Sequence, residues 1–116
     1  MAEVNLYDGH YAYNQCDAHA KVNRDTWGEQ GEALGLSSWM TFEELHDVMG
    51  ILGVDAHSRV LEVGSGSGGT TCHIAGHFGA RVTGVDLNPN GVQNGTELAE
   101  QRGVSDKADF KVTDVH

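Results

Sequence analysis

A glycine-rich stretch at residues 59–71, Arg-Val-Leu-Glu-Val-Gly-Ser-Gly-Ser-Gly-Gly-Thr-Thr, constrains the fold of this chain more than any other feature. The apolar run Val60, Leu61 and Val63 predicts a short strand covered on both faces of a parallel sheet. Residues 70–78 can continue as a helix whose free N–H groups face the intervening turn. That turn contains four glycines: Gly64, Gly66, Gly68 and Gly69. A strand, a glycine turn and a helix N-terminus in this order predict a nucleotide-type binding site.

The glycine spacing alone allows two classes of ligand. Gly64, Gly66 and Gly69 satisfy G-x-G-x-x-G, the pattern of dinucleotide-binding folds. Glu62, however, stands two positions before the first glycine, at the end of the predicted strand. A carboxylate at this position suits a cationic ligand and repels a pyrophosphate.

The longer string at residues 60–68, Val-Leu-Glu-Val-Gly-Ser-Gly-Ser-Gly, resembles the first motif of class I S-adenosylmethionine-dependent methyltransferases of the small-molecule type. The resemblance implies an α/β fold with a three-layer Rossmann-like parallel sheet, preceded by N-terminal helices. It implies S-adenosyl-L-methionine as the cofactor. It places the methionine part of that cofactor against Glu62 and the glycine turn, here Gly64, Ser65, Gly66 and Gly68.

Two further strands are predicted, at residues 80–86 and at residues 109–113, the latter alternating as an edge strand does. Asp86 stands at the carboxyl end of the second strand, about 20 positions beyond the turn, where a partner for ribose hydroxyls is expected. The resemblance gives Asp86 that role, places Leu87 against adenine, and has Asp114 accept a hydrogen bond from the adenine amino group. The alternatives are a cap or turn role for Asp86, a core position for Leu87 and a solvated position for Asp114.

Two helices have clear end signals. Thr41 and Glu44 form a capping box, and Gly53 is placed to end a helix that packs on the sheet. Its apolar stripe is Phe42, Leu45, Val48, Met49 and Leu52. Asn88 and Pro89 begin a second helix that runs to about residue 102 and ends at Gly103. Two glycines inside it, Gly91 and Gly95, each destabilise a helix by about 1 kcal/mol relative to alanine and so make this prediction weaker.

Residues 1–40 are predicted to form an N-terminal arm, and residues 41–116 the cofactor-binding domain. A helix is expected over residues 11–24. The arm and its end carry five aromatic residues: Tyr7, Tyr11, Tyr13, Trp27 and Trp39. They either pack the arm onto the domain or form a lid over the ligand.

Composition limits the number of domains, the class of substrate and the cellular location that we expect for the chain. Its 116 residues suit one small domain, and its formal net charge of −10 disfavours nucleic acid as a substrate. The two cysteines, Cys16 and Cys72, show no pairing pattern and fit a cytoplasmic protein. No segment is apolar and long enough to span a membrane. A small molecule is therefore the expected methyl acceptor, and an amine is preferred because of the acidic charge and the N-terminal aromatic residues.

The methyltransferase family has a seven-stranded sheet, and this chain supplies the first three strands before it stops. The first strand is left with an unpaired edge. A truncated domain, a homodimer or an exchange of elements between copies would account for it. The predicted function is methyl transfer from S-adenosylmethionine, with this chain as the cofactor-binding part. The alternatives are part of an NAD-dependent oxidoreductase and a non-catalytic nucleotide-binding or interaction module.

No catalytic residue is assigned, although His10 and His19 are candidate general bases. His73 and His77 lie four residues apart and share one face of a predicted helix. Cys72 is the one potential ligand close to them in sequence, and it points elsewhere. No metal site is predicted.

Overall fold

The computed structural model describes residues 21, 24, 25 and 40–115 of the chain. Helices and strands alternate in the order α1 (Phe42–Leu52), β1 (Arg59–Val63), α2 (Gly69–Phe78), β2 (Arg81–Asp86), α3 (Pro89–Gln101) and β3 (Ala108–Val112). Within the predicted arm, Lys21, Arg24 and Asp25 are helical. The aromatic residues of the arm, as well as His10, His19 and Cys16, lie outside the described residues, so the arm and its boundary stay predictions.

The three strands form one parallel sheet in the order β1-β2-β3. Val60 pairs with Val82, which pairs with Ala108, so these three side chains lie on the same side of the sheet. The α/β class and the parallel pairing of the three predicted strands are confirmed, and β3 is an edge strand as its sequence pattern predicted. Within residues 40–115, β1 pairs with β2 alone, so its other edge is free.

All three helices pack against one side of the sheet, which we call the covered face. Leu45 and Met49 of α1, Ile74 of α2 and Ala99 of α3 share a core with Val82 of β2. Cys72 is a free thiol buried in the same core. Burial of these apolar side chains is the main stabilising contribution of this part of the chain.

The opposite side, which we call the open face, carries Leu61, Val63, Thr83, Asp109 and Lys111. Leu61 is 63% exposed and Val63 is 58% exposed. The prediction that β1 is covered on both faces is therefore wrong for the described residues. An apolar run cannot indicate by itself how many sides of a strand are packed, because β1 alternates between the two faces.

Helix α1 begins as the sequence predicted. The Glu44 backbone N–H donates to Thr41 Oγ1 at 3.2 Å, and the Thr41 backbone N–H donates to Glu44 Oε2 at 2.8 Å. Gly53 ends the helix with a left-handed φ of 67°. The predicted stripe is wrong at Leu52, which is 67% exposed because the last turn of the helix extends beyond the core.

The two glycines inside α3 have a packing reason that the sequence did not reveal. A Cβ atom on Gly95 would lie 2.7 Å from Cε1 of Phe110, closer than side chains tolerate. Gly91 and Gly95 are both buried. Gly95 therefore lets α3 approach β3 closely, and this contact offsets its low helix propensity. Asn88 caps the helix by accepting a 2.8 Å bond from the Asn90 backbone N–H.

Within the described ranges, no helix combines the length and the apolar character needed to cross a bilayer.

Candidate functional site

The glycine turn lies against the carboxyl end of β2. The backbone N–H groups of Gly64 and Ser65 both donate to the Val85 carbonyl oxygen, at 2.8 and 3.0 Å. The Gly68 backbone N–H donates back to the Ser65 carbonyl oxygen at 3.0 Å. Three of its glycines, Gly64, Gly66 and Gly68, have φ values of 74°, 55° and 88°. These are left-handed values that glycine adopts without steric cost, so the sequence can form this compact turn.

Two of these glycines serve different purposes. A Cβ atom on Gly68 would lie 2.7 Å from both Gly95 Cα and Phe110 Cζ, so this position packs the start of α2 against α3 and β3. A Cβ atom on Gly64 would meet nothing within 4 Å. Gly64 is therefore needed for its backbone angle, and the space beside it is open to a ligand.

Asp86 connects the turn to the start of α3. Its Oδ2 accepts from the Gly66 backbone N–H at 2.9 Å, and its Oδ1 accepts from the Asn88 backbone N–H at 2.9 Å. Asp86 therefore does have the turn and cap role that was the alternative to ribose binding. This role does not exclude ribose binding, because a carboxylate oxygen can accept more than one hydrogen bond.

Glu62 lies on β1, beside the strand that carries Asp86. The Thr71 hydroxyl of α2 donates to the Glu62 carboxylate. Burial raises the pKa of Glu62 from its usual 4.5 to about 7; the Thr71 bond opposes this rise, and the negative charge of Asp86 adds to it. The two carboxylates therefore interact electrostatically, as residues lining one site would.

The segment after β3 brings Asp114 to this edge. The Thr113 backbone N–H donates to the Asp86 carbonyl oxygen at 3.0 Å, which holds the chain beside the end of β2. Asp114 follows and is exposed. Leu87 is 65% exposed, so the alternative that Leu87 belongs to the core is wrong. An exposed leucine at the carboxyl end of a parallel strand is available to contact a flat apolar ligand group.

Sequence reasoning did not identify two polar residues of the site. The sequence pattern indicates only a helical position for Thr71, although a threonine in the first turn after the glycines can face β1. The pattern gives no role to Ser67, which lies between Gly66 and Gly68. Within the described ranges, the hydroxyls of Ser65 and Ser67 are buried and make no hydrogen bond. Buried hydroxyls without a partner are costly, so a ligand that satisfied them would be stabilised.

Comparison with known proteins connects this geometry to a family. Residues 60–116 match a family model described as a methyltransferase domain. A 55-residue segment is 40% identical to the probable chloroplastic tocopherol O-methyltransferase of Oryza sativa subsp. japonica, covering 47% of this chain and 15% of the relative. A 56-residue segment is 34% identical to norajmaline N-methyltransferase of Rauvolfia serpentina, covering 48% of this chain and 19% of the relative. The matches therefore span less than a fifth of each relative.

A solved structure shares the fold. The RNA methyltransferase of Salinibacter ruber, crystallised with S-adenosyl-L-homocysteine, is 25% identical with a TM-score of 0.61, and the match covers 66% of this chain and 50% of that one. The matched family model begins at β1 and includes the glycine turn, Asp86 and Asp114. The resemblance inferred from the first motif is confirmed. The matched model and the shared fold therefore support the class I S-adenosylmethionine-dependent methyltransferase family for residues 60–116 of this chain.

Proposed function

We propose that this chain binds S-adenosyl-L-methionine in the crevice formed by Glu62, Asp86 and Asp114, as the cofactor-binding part of a methyltransferase with a small-molecule acceptor. The observation that carries the proposal is the pair Glu62 and Asp86 behind the glycine turn. Burial raises the pKa of Glu62, and the negative charge of Asp86 adds to the rise. The Salinibacter ruber structure supports the cofactor class, since it contains the demethylated form of this cofactor.

The charges of the crevice favour this ligand over a dinucleotide. A positively charged ammonium beside Glu62 would stabilise its ionised form, which burial and Asp86 now destabilise. A pyrophosphate would add negative charge to the same place and would be repelled. The open space at Gly64 and the free hydroxyls of Ser65 and Ser67 also suit a polar ligand close to the backbone.

Each residue of the crevice has a positioning role in this proposal. Bound S-adenosyl-L-methionine would supply an electrophilic methyl group. Glu62 and the glycine turn hold the methionine part, Asp86 holds the ribose hydroxyls, and Leu87 and Asp114 contact the adenine. Methyl transfer is an in-line displacement that depends largely on holding two reactants in the correct geometry, so it requires no nucleophilic residue.

Titration calorimetry on the 116-residue chain tests the cofactor. We expect binding of S-adenosyl-L-methionine and S-adenosyl-L-homocysteine and no binding of NAD⁺. Glu62→Gln removes the negative charge at almost constant volume and should weaken binding about tenfold or more, because a hydrogen bond to a charged group contributes about 1.5–3 kcal/mol. Glu100→Gln is the matched control, because Glu100 is exposed on α3.

Binding of NAD⁺ alone would identify the oxidoreductase alternative and reject the proposal. Equal affinities for the wild type and Glu62→Gln would remove Glu62 from the site. Cofactor binding without any methyl transfer would favour the non-catalytic module for this chain.

The acceptor is proposed to be a small amine. The chain is strongly acidic, with a formal net charge of −10, which suits a cationic acceptor and disfavours nucleic acid. One relative is named as an N-methyltransferase, whereas another is named as an O-methyltransferase and the structural neighbour as an RNA methyltransferase. Transfer of a labelled methyl group to a secondary amine, compared with a phenol and an RNA hairpin, tests this choice. Labelling of the phenol or the RNA in preference to the amine would contradict it.

The free edge of β1 supports the prediction of a homodimer or an exchange of elements. Leu61 and Val63 leave apolar surface beside that edge, and an unpaired strand edge can pair with another chain. Light scattering over a range of concentrations should show association. A monomer at high concentration would contradict the prediction. The cytoplasmic location also stays a prediction, and the name of the rice relative places that protein in the chloroplast.

A further inference from the structure

Three histidines from two helices meet away from the glycine turn. His46 belongs to α1, and His73 and His77 belong to α2. His46 Nε2 lies 2.8 Å from His73 Nε2. One ring nitrogen from each histidine can be chosen so that all three lie within 4.8 Å of one another. We call this group the histidine cluster.

Aromatic rings surround the histidine cluster. The Phe42 ring centroid lies 4.3 Å from that of His46, and the Phe78 ring centroid lies 4.8 Å from that of His77. His46 and His73 are half-buried, whereas His77 is exposed. The cluster is therefore packed on its inner side and accessible to solvent at His77, so an ion could reach it without unfolding of the helices.

Burial and nearby positively charged groups both act on His73. Burial lowers the pKa of His73 to about 4, with smaller contributions from His46, His77 and Arg102. Neutral imidazole is the form that binds metals. Arg102 is the positively charged side chain that opposes a bound cation here, and its effect on His73 is the smallest of these contributions.

The geometry suits a tetrahedral ion. His73 and His77 are four residues apart on one helix, a spacing that puts both rings on the same face. Ligands at the usual Zn–N distance of about 2.05 Å are separated by about 3.3 Å from one another. The pair at 2.8 Å would open by about 0.5 Å, and no pair, being within 4.8 Å, would need to close by more than about 1.5 Å. Side-chain rotation can supply shifts of this size, particularly at exposed His77.

We propose that His46, His73 and His77 bind a single divalent transition-metal ion, with Zn²⁺ as the preferred ion. Imidazole is a preferred ligand of zinc, copper and nickel, and three of them leave a fourth position for water. The bound ion would tie α1 to α2 and so hold the N-terminal helix against the helix that follows the glycine turn. The proposed site differs from the sequence-based expectation of no metal, because His46 supplies a third potential ligand from a distant part of the chain. It does not depend on the proposed cofactor.

Equilibrium dialysis of the purified 116-residue chain against Zn²⁺, followed by metal analysis, tests the proposal. We expect one Zn²⁺ per chain and a higher melting temperature with Zn²⁺ than with a chelator, because an ion that binds only the folded state stabilises it. Bound Co²⁺ should give the intense visible absorption of a four-coordinate ion.

His77→Ala is the most informative variant because His77 is exposed and its loss should leave the fold intact, as circular dichroism can verify. We expect its Zn²⁺ affinity to fall by at least about tenfold, since even the loss of an outer partner of a ligand costs about 10–100-fold. His57→Ala is the matched control, because His57 is exposed and lies outside the cluster. His46→Ala should reproduce the loss from the other helix.

The absence of a stoichiometric ion from the wild-type chain would overturn the proposal and leave the cluster as two hydrogen-bonded rings in an aromatic contact. Unchanged affinity in both His77→Ala and His46→Ala would also overturn it, because the ion would then bind elsewhere.

Discussion

The two faces of the sheet use the same three strands in opposite ways. On the covered face, Val82 is 1% exposed and Ala108 is 4% exposed, and helices contact both. On the open face, Leu61 is 63% exposed, and its neighbours along the register include Thr83 and Asp109. The covered face has the small, closely fitted residues of a core, whereas the open face mixes apolar and charged side chains.

This difference shows that neighbouring residues of one strand do not contribute equally to stability. Val60 and Leu61 are adjacent and both apolar, yet only Val60 packs against the core. Leu61 and Val63 instead provide an apolar surface next to a free strand edge. We therefore expect the covered face to determine whether the chain folds, and the open face to determine what the chain associates with.

The largest expected effect tests how tightly the covered face is packed. Gly68→Ala places a methyl group 2.7 Å from Gly95 Cα and from the Phe110 ring, at a φ of 88°. Overpacking and backbone strain together should lower the free energy of unfolding by about 3–5 kcal/mol. Gly64→Ala has similar strain without the contact and should cost only about 1 kcal/mol. Urea unfolding measures both, and equal losses would show that the close packing at Gly68 is unimportant.

The next effect compares the two faces directly. Val82→Ala removes two methyl groups from a fully buried site and should lower the free energy of unfolding by about 2 kcal/mol or more. Leu61→Ala removes a larger group from an exposed site and should cost less than about 1 kcal/mol in the monomer. Thermal or urea unfolding at low concentration provides the values. A greater loss for Leu61→Ala would mean that the open face is packed in solution.

The smallest of the three effects concerns Glu62, on the covered face beside the crevice. Because its folded pKa of about 7 lies above 4.5, the folded state binds the proton more tightly, so stability should fall as the pH rises from about 4.5 to 7. The pKa difference corresponds to about 3 kcal/mol, which partial exposure reduces to roughly 2.

Glu62→Gln should remove this part of the pH dependence, whereas Glu100→Gln should keep it. Urea unfolding at pH 4.5, 6 and 8 distinguishes the two variants. If the free energy of unfolding changed with pH in the same way for the wild type and Glu62→Gln, the raised pKa of Glu62 would be contradicted.

Local signals in the sequence predicted the elements well. The Thr41 capping box and Gly53 fixed the ends of α1, and Asn88 and Pro89 fixed the start of α3. The glycines of the turn, with the carboxylates at the carboxyl ends of β1 and β2, predicted that these groups lie at one edge of the sheet. These signals depend on hydrogen bonds and backbone angles within a few residues, and such features are readable from a single sequence.

The features that the sequence did not reveal depend on contacts between distant residues. His46 joins His73 only because α1 packs beside α2, 27 residues away along the chain. Gly95 is unfavourable in a helix by its propensity, and only its contact with Phe110 explains its presence there. The exposure of Leu61 depends on which side of β1 the helices cover. Periodicity describes one element at a time, so it cannot predict these tertiary relations.

The two bonds that Asp86 accepts from the backbone have a thermodynamic consequence. The bond from Gly66 fixes the glycine turn to β2, and the bond from Asn88 fixes the start of α3. The entropy lost in ordering the turn is therefore lost on folding and not on ligand binding. Association with a small ligand then requires little rearrangement of the main chain, and such pre-organisation increases affinity. A carboxylate that immobilises its own binding loop therefore contributes to recognition even when it does not touch the ligand.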